Sequence, residues 1–197
     1  MTVFCATGNP GKLREFQLAA PDFDVQRLPV SVPAPEETGN TFEANAAEKA
    51  IAYGKHVRGY LFADDSGLEV DALGGEPGVR SARYAGEHAT DQENNALLLE
   101  RLQGIENRTA RFVCVIALVH DGRLVKTFRG SVEGRILDGP RGTGGFGYDP
   151  LFFHEPFGCT FGEAAIERKM TVSHRAQALA AMFAYLREIS AKNSASI

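Results

Sequence analysis

Cysteine is scarce in this chain: Cys5, Cys114 and Cys159 are odd in number, far apart and set mostly in apolar, strand-like runs. That excludes a disulfide framework and a cysteine zinc site and leaves them as reduced packing residues. Long apolar runs are missing as well. No stretch approaches the roughly 20 residues of a membrane-spanning helix, and Met1-Thr2-Val3-Phe4 has neither the charged start nor the small-residue cleavage pattern of a signal peptide. The expectation is a cytoplasmic protein with no membrane partner. Nor is there a basic excess: the formal net charge is −4, which argues against nucleic acid as a partner and means that a polyanionic ligand needs a local cluster of cations. Internal repeats and low-complexity linkers are absent too.

What is present is an ordinary globular composition. With 44% hydrophobic and 23% charged residues in a chain of 197, a single domain spanning 1–197 with a well-buried core is expected. Thr2 to Thr7 reads as a strand leading through Gly8-Asn9-Pro10-Gly11 into a helix, with Asn9 as the cap and Pro10 at its first position. A Pro-rich segment, Pro29 to Pro35, precedes a second helix capped by Thr41 and running to about Arg58. Tyr60 to Asp64 reads as a strand ending in two aspartates, and Thr90-Asp91-Gln92-Glu93 as a capping box ahead of a third helix. Ala110 to His120, the turn Asp121-Gly122 and Leu124 to about Ile136 form a hairpin. A final helix from Ser173 carries the stripe Ala176, Leu179, Met182, Phe183, Leu186 and Ile189. The mixture predicts an α/β fold on a mixed sheet.

Four segments carry chemistry. The loop Thr7 to Lys12 precedes a helix start, where free N–H groups and the positive end of the helix dipole suit phosphate; it is too short for a P-loop, and a capped helix start with a solvated lysine is the plain alternative. Glu36, Glu37, Asp64 and Asp65 offer hard oxygens of the kind that suit Mg²⁺, with one member of each pair facing the ion. Asp64-Asp65-Ser66-Gly67 is also compatible with a simple turn. Gly142 to Pro150 places four glycines around Phe146, Tyr148 and Asp149, either a tight turn or a loop on which a flat ligand stacks. Ser173-His174-Arg175 with Lys169 groups donors that would hold phosphate or a base edge, or else merely starts a helix. Taken together, these describe a nucleoside triphosphate site. His56, His88, His120 and His154 are scattered and receive no role.

In these segments the chain resembles the inosine triphosphate pyrophosphatase family, the XTP/dITP diphosphatases. The resemblance runs through Thr7 to Lys12 with Glu15, Glu37-Thr38-Gly39 to Asn45-Ala46, Ala63 to Leu68, Pro77-Gly78 with Ser81 to Tyr84, Gly142 to Pro150, and Ser173-His174-Arg175. It implies a long mixed β-sheet flanked by helices in two lobes around a central cleft, a homodimer, and Mg²⁺-dependent hydrolysis of dITP, ITP or XTP to the monophosphate and pyrophosphate. By the same resemblance Thr7, Gly8, Asn9, Pro10, Gly11 and Lys12 hold phosphates, and Glu37 and Asp65 bind the metal. Asp65 is also the proton acceptor and Ser66 contacts substrate. Phe146 stacks on the purine beside Gly147, Tyr148 and Asp149, while Lys169, His174 and Arg175 read the base; Lys49 is a further phosphate contact. Arg80, Glu76, Arg168 and Met170 depart from the family's usual residues. The competing readings are a pyrophosphatase for modified pyrimidine nucleotides, a nucleotide-binding module without hydrolysis, and an RNA-binding protein.

Overall fold

The computed structural model describes residues 1–19, 22–28 and 32–194. Its elements in chain order are β1 (Thr2–Cys5), α1 (Pro10–Ala19), β2 (Asp24–Arg27), α2 (Phe42–Gly54), β3 (Tyr60–Val70), α3 (Asp91–Arg101), β4 (Thr109–His120), β5 (Arg123–Ile136), β6 (Phe152–His154), β7 (Cys159–Thr160), α4 (Ile166–Lys169) and α5 (His174–Ser194), of which β2, β6, β7 and α4 add to those the sequence pattern predicts. They build one mixed seven-stranded sheet in the order β2-β1-β3-β4-β5-β6-β7. β1 pairs in parallel with β2 and β3, whereas β6 runs antiparallel to β5 and β7. This is the α/β fold on a mixed sheet that the sequence leads one to expect.

Two boundaries differ from expectation. β3 does not stop at Asp64 but runs on to Val70, carrying both aspartates through its interior. Its backbone is extended and its neighbours on either side are strands, so the acid pair interrupts nothing and instead points to opposite faces. α2 ends at Gly54 rather than near Arg58. There the helix backs onto the β4–β5 turn, where a Cβ on Gly54 would stand 2.8 Å from Val119. That turn is Asp121-Gly122 with φ of 48° and 76°, the positive values a two-residue hairpin needs. The short polar strand β2 offers no apolar alternation and was not legible in the sequence. Part of the Pro29 to Pro35 segment lies outside the described residues.

The chain divides into two compact units. One comprises Met1–Asp65, Cys114–Gly130 and Arg175–Ile197, the other Ser66–Val113 and Ser131–His174, so β3, β4 and β5 each give residues to both. The core of the first unites Val3, Cys5, Phe62, Cys114 and Ile116 from the sheet with Phe16 of α1 and Leu179, Met182, Phe183 and Leu186 of α5. The final helix thus buries Leu179, Met182, Phe183 and Leu186 of the stripe its spacing announces, while Ala176 and Ile189 at its ends are half-buried. Burial pushes the Cys5 thiol up to about 11 and the Cys114 thiol up to about 12, which keeps both inert as packing residues. The core of the second gathers Leu68, Val70, Leu98, Leu102, Phe112, Phe152 and Phe161. Among the described residues no helix is long and apolar enough to cross a membrane.

Candidate active site

In the first unit the chemistry is organised by β3. Asp64 and Asp65 are neighbours in the strand and are 3% and 5% exposed, so each must find its partners on its own face. Asp64 shares a face with Phe62, toward α1 and α5. There Lys12 Nζ lies 2.8 Å from its Oδ2 and Arg175 Nε 3.8 Å away. Arg175 is itself buried and donates to the buried Glu15, making a chain of alternating charge. Burial alone would push the Asp64 carboxyl up, but Lys12, Arg175 and Lys49 outweigh it and hold Asp64 at about 2, ionised near neutral pH. Lys12 is therefore not a solvated lysine.

Asp65 meets α2. Asn45 Nδ2 donates to its Oδ2 at 3.0 Å, and Lys49 Nζ stands 3.4 Å from Oδ1 and 2.9 Å from Glu37 Oε1. Burial raises the Asp65 carboxyl above its ordinary value, and Glu37's charge adds to the rise against the pull of Lys49 and the Asn45 hydrogen bond. Glu37 is half-buried while its neighbour Glu36 is exposed, so one member of the pair faces this cluster. The Glu37 loop is held by Asn45 as well, whose Oδ1 accepts from Gly39 N at 2.8 Å. A Cβ on Gly39 would lie 2.6 Å from that oxygen, which is why glycine stands there.

The phosphate-loop expectation needs one correction. At the start of α1, Asn9 Oδ1 accepts from Gly11 N at 2.8 Å and Lys12 N at 3.2 Å, and Thr7 Oγ1 accepts from Asn9 N. The N–H groups expected to be free are thus engaged by the cap itself, because an Asx cap satisfies the same orphan donors that an anion would. The loop's Gly8, Asn9 and Pro10 are exposed.

The second unit holds the aromatic loop. Asp149 and Lys169 are both 2% exposed and form an ion pair at 2.7 Å, while Asp149 Oδ2 also accepts from Phe146 N. Lys169 Nζ lies 5.1 Å from the centroid of the half-buried Phe146 ring. Three of the four glycines serve the chain's own packing rather than a ligand's approach. A Cβ on Gly142 would fall 2.2 Å from Gly162, one on Gly144 3.0 Å from the same residue, and one on Gly145 2.0 Å from Asp149 Oδ2. Gly147, with φ of 60°, has open space around its Cβ position. Tyr148 is not a stacking ring: it is buried in the core, and its hydroxyl donates to the Ser81 carbonyl at 2.8 Å. His174 is buried face to face with Phe112, ring centroids 4.9 Å apart. Ser66, half-buried on β3, begins this unit's share of that strand. Sequence reasoning grouped Lys169, His174 and Arg175; the structure places Lys169 and His174 in this unit and commits the Arg175 guanidinium to Glu15 and Asp64 in the other.

Residues missed in the sequence are Asn45, Asp91 and Asn95. Asp91 Oδ2 accepts from Gly147 N at 2.7 Å and Asn95 Nδ2 donates to Gly147 O at 3.1 Å. Their i, i+4 spacing on α3 was the only available signal, and it reads as an ordinary polar helix face.

These features define an α/β protein with a charged carboxylate–lysine cluster in one unit and an aromatic, cation-backed loop in the other, chemistries that suit the two ends of a nucleotide. The model of the Ham1 family matches residues 3–185, and the chain belongs to that family. It is 50% identical to the dITP/XTP pyrophosphatase of Exiguobacterium sp. over 91% of this chain and 93% of that protein. It is 44% identical to the protein of the same name from Acidobacterium capsulatum, over 94% and 98%. The solved HAM1 protein of Coxiella burnetii superposes with a TM-score of 0.87 at 40% identity, covering 95% of this chain and 99% of that one. The family generally needs a divalent metal ion. Among the described residues no group of three or more His, Cys, Asp or Glu gathers at one point. Yet Glu37 and Asp65 converge on one ammonium, so they already make a cation-holding pair.

Proposed function

We propose that this chain hydrolyses the deaminated purine nucleoside triphosphates dITP, ITP and XTP to the nucleoside monophosphate and pyrophosphate, clearing them from the nucleotide pool. It is a hydrolase acting on acid anhydrides. The observation that carries the catalytic assignment is the buried Asp65, aimed by Asn45 and facing Glu37 across Lys49. A carboxylate raised above its ordinary value by burial is a better proton acceptor, so Asp65 takes the proton of the attacking water. The bond between the α- and β-phosphates breaks and pyrophosphate leaves. Lys12 and Lys49 supply positive charge to the polyphosphate, assisted by the loop Thr7 to Gly11, of which Gly8, Asn9 and Pro10 are exposed.

Glu37 and Asp65 would hold Mg²⁺. Two carboxylates suit an ion that keeps several waters and takes its other ligands from substrate phosphates. When bound, it neutralises charge on the phosphates undergoing cleavage.

Phe146 stacks on the purine, backed by the Lys169 ammonium that Asp149 holds. Lys169 and His174 supply donors to the 6-oxo group. Adenine presents an amino group there, and donors left unpaired against it cost about 1–3 kcal/mol each. Gly147, Tyr148 and Asp149 shape the loop rather than touch the base, Ser66 contacts substrate, and Arg175 keeps Asp64 ionised beside Lys12. We further propose that the chain acts as one domain, because β3, β4 and β5 run through both units, that it works as a homodimer, and that it is cytoplasmic, where its substrates are.

The test is pyrophosphate release by the purified protein with dITP, XTP, dGTP, dATP and dUTP, with Mg²⁺ and with a chelator. Turnover of dITP and XTP only, lost on chelation, is expected. Comparable rates on dGTP or dUTP would overturn the substrate assignment.

A further inference from the structure

Phe146 cannot hold a base flat unless its own backbone is held, and two sets of hydrogen bonds do this, one from within the loop and one from α3. Asp149 anchors the Phe146 N–H. Both backbone groups of the next residue, Gly147, are taken by α3: its N–H by Asp91 and its carbonyl by Asn95. These two side chains are one helical turn apart on the same face of α3, whose start is locked by the Thr90–Glu93 capping box. The clamp therefore sits on a rigid support, while Gly147 sits in the left-handed region at φ 60° with nothing crowding it. Free of steric constraint, that residue depends on hydrogen bonds to stay in one conformation.

Asn95 is an odd choice for packing alone. Its Oδ1 is buried with no hydrogen-bond partner among the described residues, a cost that an apolar side chain would avoid. Retaining the amide makes sense if the Gly147 carbonyl must be fixed.

We propose that Asp91 and Asn95 are positioning residues for the base-stacking step: by clamping Gly147 from α3 they set the orientation of the Phe146 ring and hence the affinity for the purine. The inference rests on the functional reading above, since it presumes that Phe146 meets the base. The clamp touches no reacting atom, so its loss weakens base binding and spares the chemical step.

The experiment compares wild type with Asn95→Ala, Asp91→Ala and Asp91→Asn, reading KM and kcat for dITP. Losing one hydrogen bond to the loop is expected to raise KM about ten-fold with kcat within about two-fold. Asp91→Asn retains an acceptor for the Gly147 N–H and should restore most of the affinity, which a role in folding alone does not predict. The chain contains no tryptophan, so Phe146→Trp adds a single fluorophore; its quenching by dIMP should weaken by a similar factor when Asn95→Ala is added. Unchanged KM and unchanged quenching in both alanine variants would overturn the proposal, as would an equal loss in Asp91→Ala and Asp91→Asn. Should Asn95→Ala fail to fold, the Asp91 pair decides. A wild-type protein inactive on dITP would instead sink the functional reading itself, which separates the two failures.

Discussion

The two clusters are built on opposite principles. In the first unit Lys12, Lys49 and Arg175 interleave with Glu15, Glu37, Asp64 and Asp65, every group reached by a partner of opposite sign. In the second the buried ion pair Asp149–Lys169 backs an aromatic ring, and side chains of Asp91, Asn95 and Asp149 hold the loop's backbone groups. A polyphosphate with a divalent ion demands charge that can be rebalanced, which a network offers. A flat base demands a surface that does not move. The contrast is sharpest within β3, where adjacent aspartates shift in opposite directions: Asp64 is driven down to about 2 by the cations on its face, while burial raises Asp65. One strand, alternating its side chains, supplies a fixed anion on one face and a carboxyl that holds a proton more readily on the other.

The largest effect expected is on the charged side. Asp65→Asn should lower kcat by about 10²–10⁴-fold, the range for losing a general base, with dITP binding largely kept; near-normal turnover would remove Asp65 from catalysis. Next, Asp64→Asn leaves Lys12 and Arg175 without their shared counter-ion and should cost about 3–5 kcal/mol in denaturant unfolding. If it costs as little as a surface change, the network is not what holds this unit. On the aromatic side, Phe146→Ala should lose about 1–3 kcal/mol of stacking, read as a raised KM for dITP at unchanged fold stability.

Acidification separates the units further. The folded Asp64 carboxyl lies below its unfolded value, so its contribution is present above about pH 4 and is lost as pH falls toward about 2, amounting to about 2 kcal/mol. Wild type should show this acid loss and Asp64→Asn should not. The smallest effect is a control: Arg187→Ala breaks an exposed pair with Asp22 and should change stability by about 0–1 kcal/mol.

Much of this molecule was legible before any coordinate. Thr41 and Thr90 caps, the Asp121-Gly122 hairpin and the buried stripe of α5 all arise from local chemistry within a few residues. Less legible were features whose partners lie far along the chain. The glycines of the aromatic loop suggested an approaching ligand, but Gly142 and Gly144 make room for the distant Gly162. Tyr148 stands beside Phe146 in the loop, but its hydroxyl meets Ser81, 67 positions away. Arg175 follows His174 in the chain, yet its guanidinium meets Glu15, 160 positions away, a pairing that no local spacing announces. β2 escaped because a four-residue edge strand of polar residues carries no periodicity to detect.

By itself the sequence determined which residue types exist to do chemistry and where helices and strands begin, since capping, turn geometry and apolar spacing act over a handful of neighbours. Only the tertiary structure decided which carboxylate meets which cation, because those pairings join elements that the chain separates by tens of residues. Burial then turns a pairing into a charge state, and burial is a property of the packed molecule that no local stretch contains.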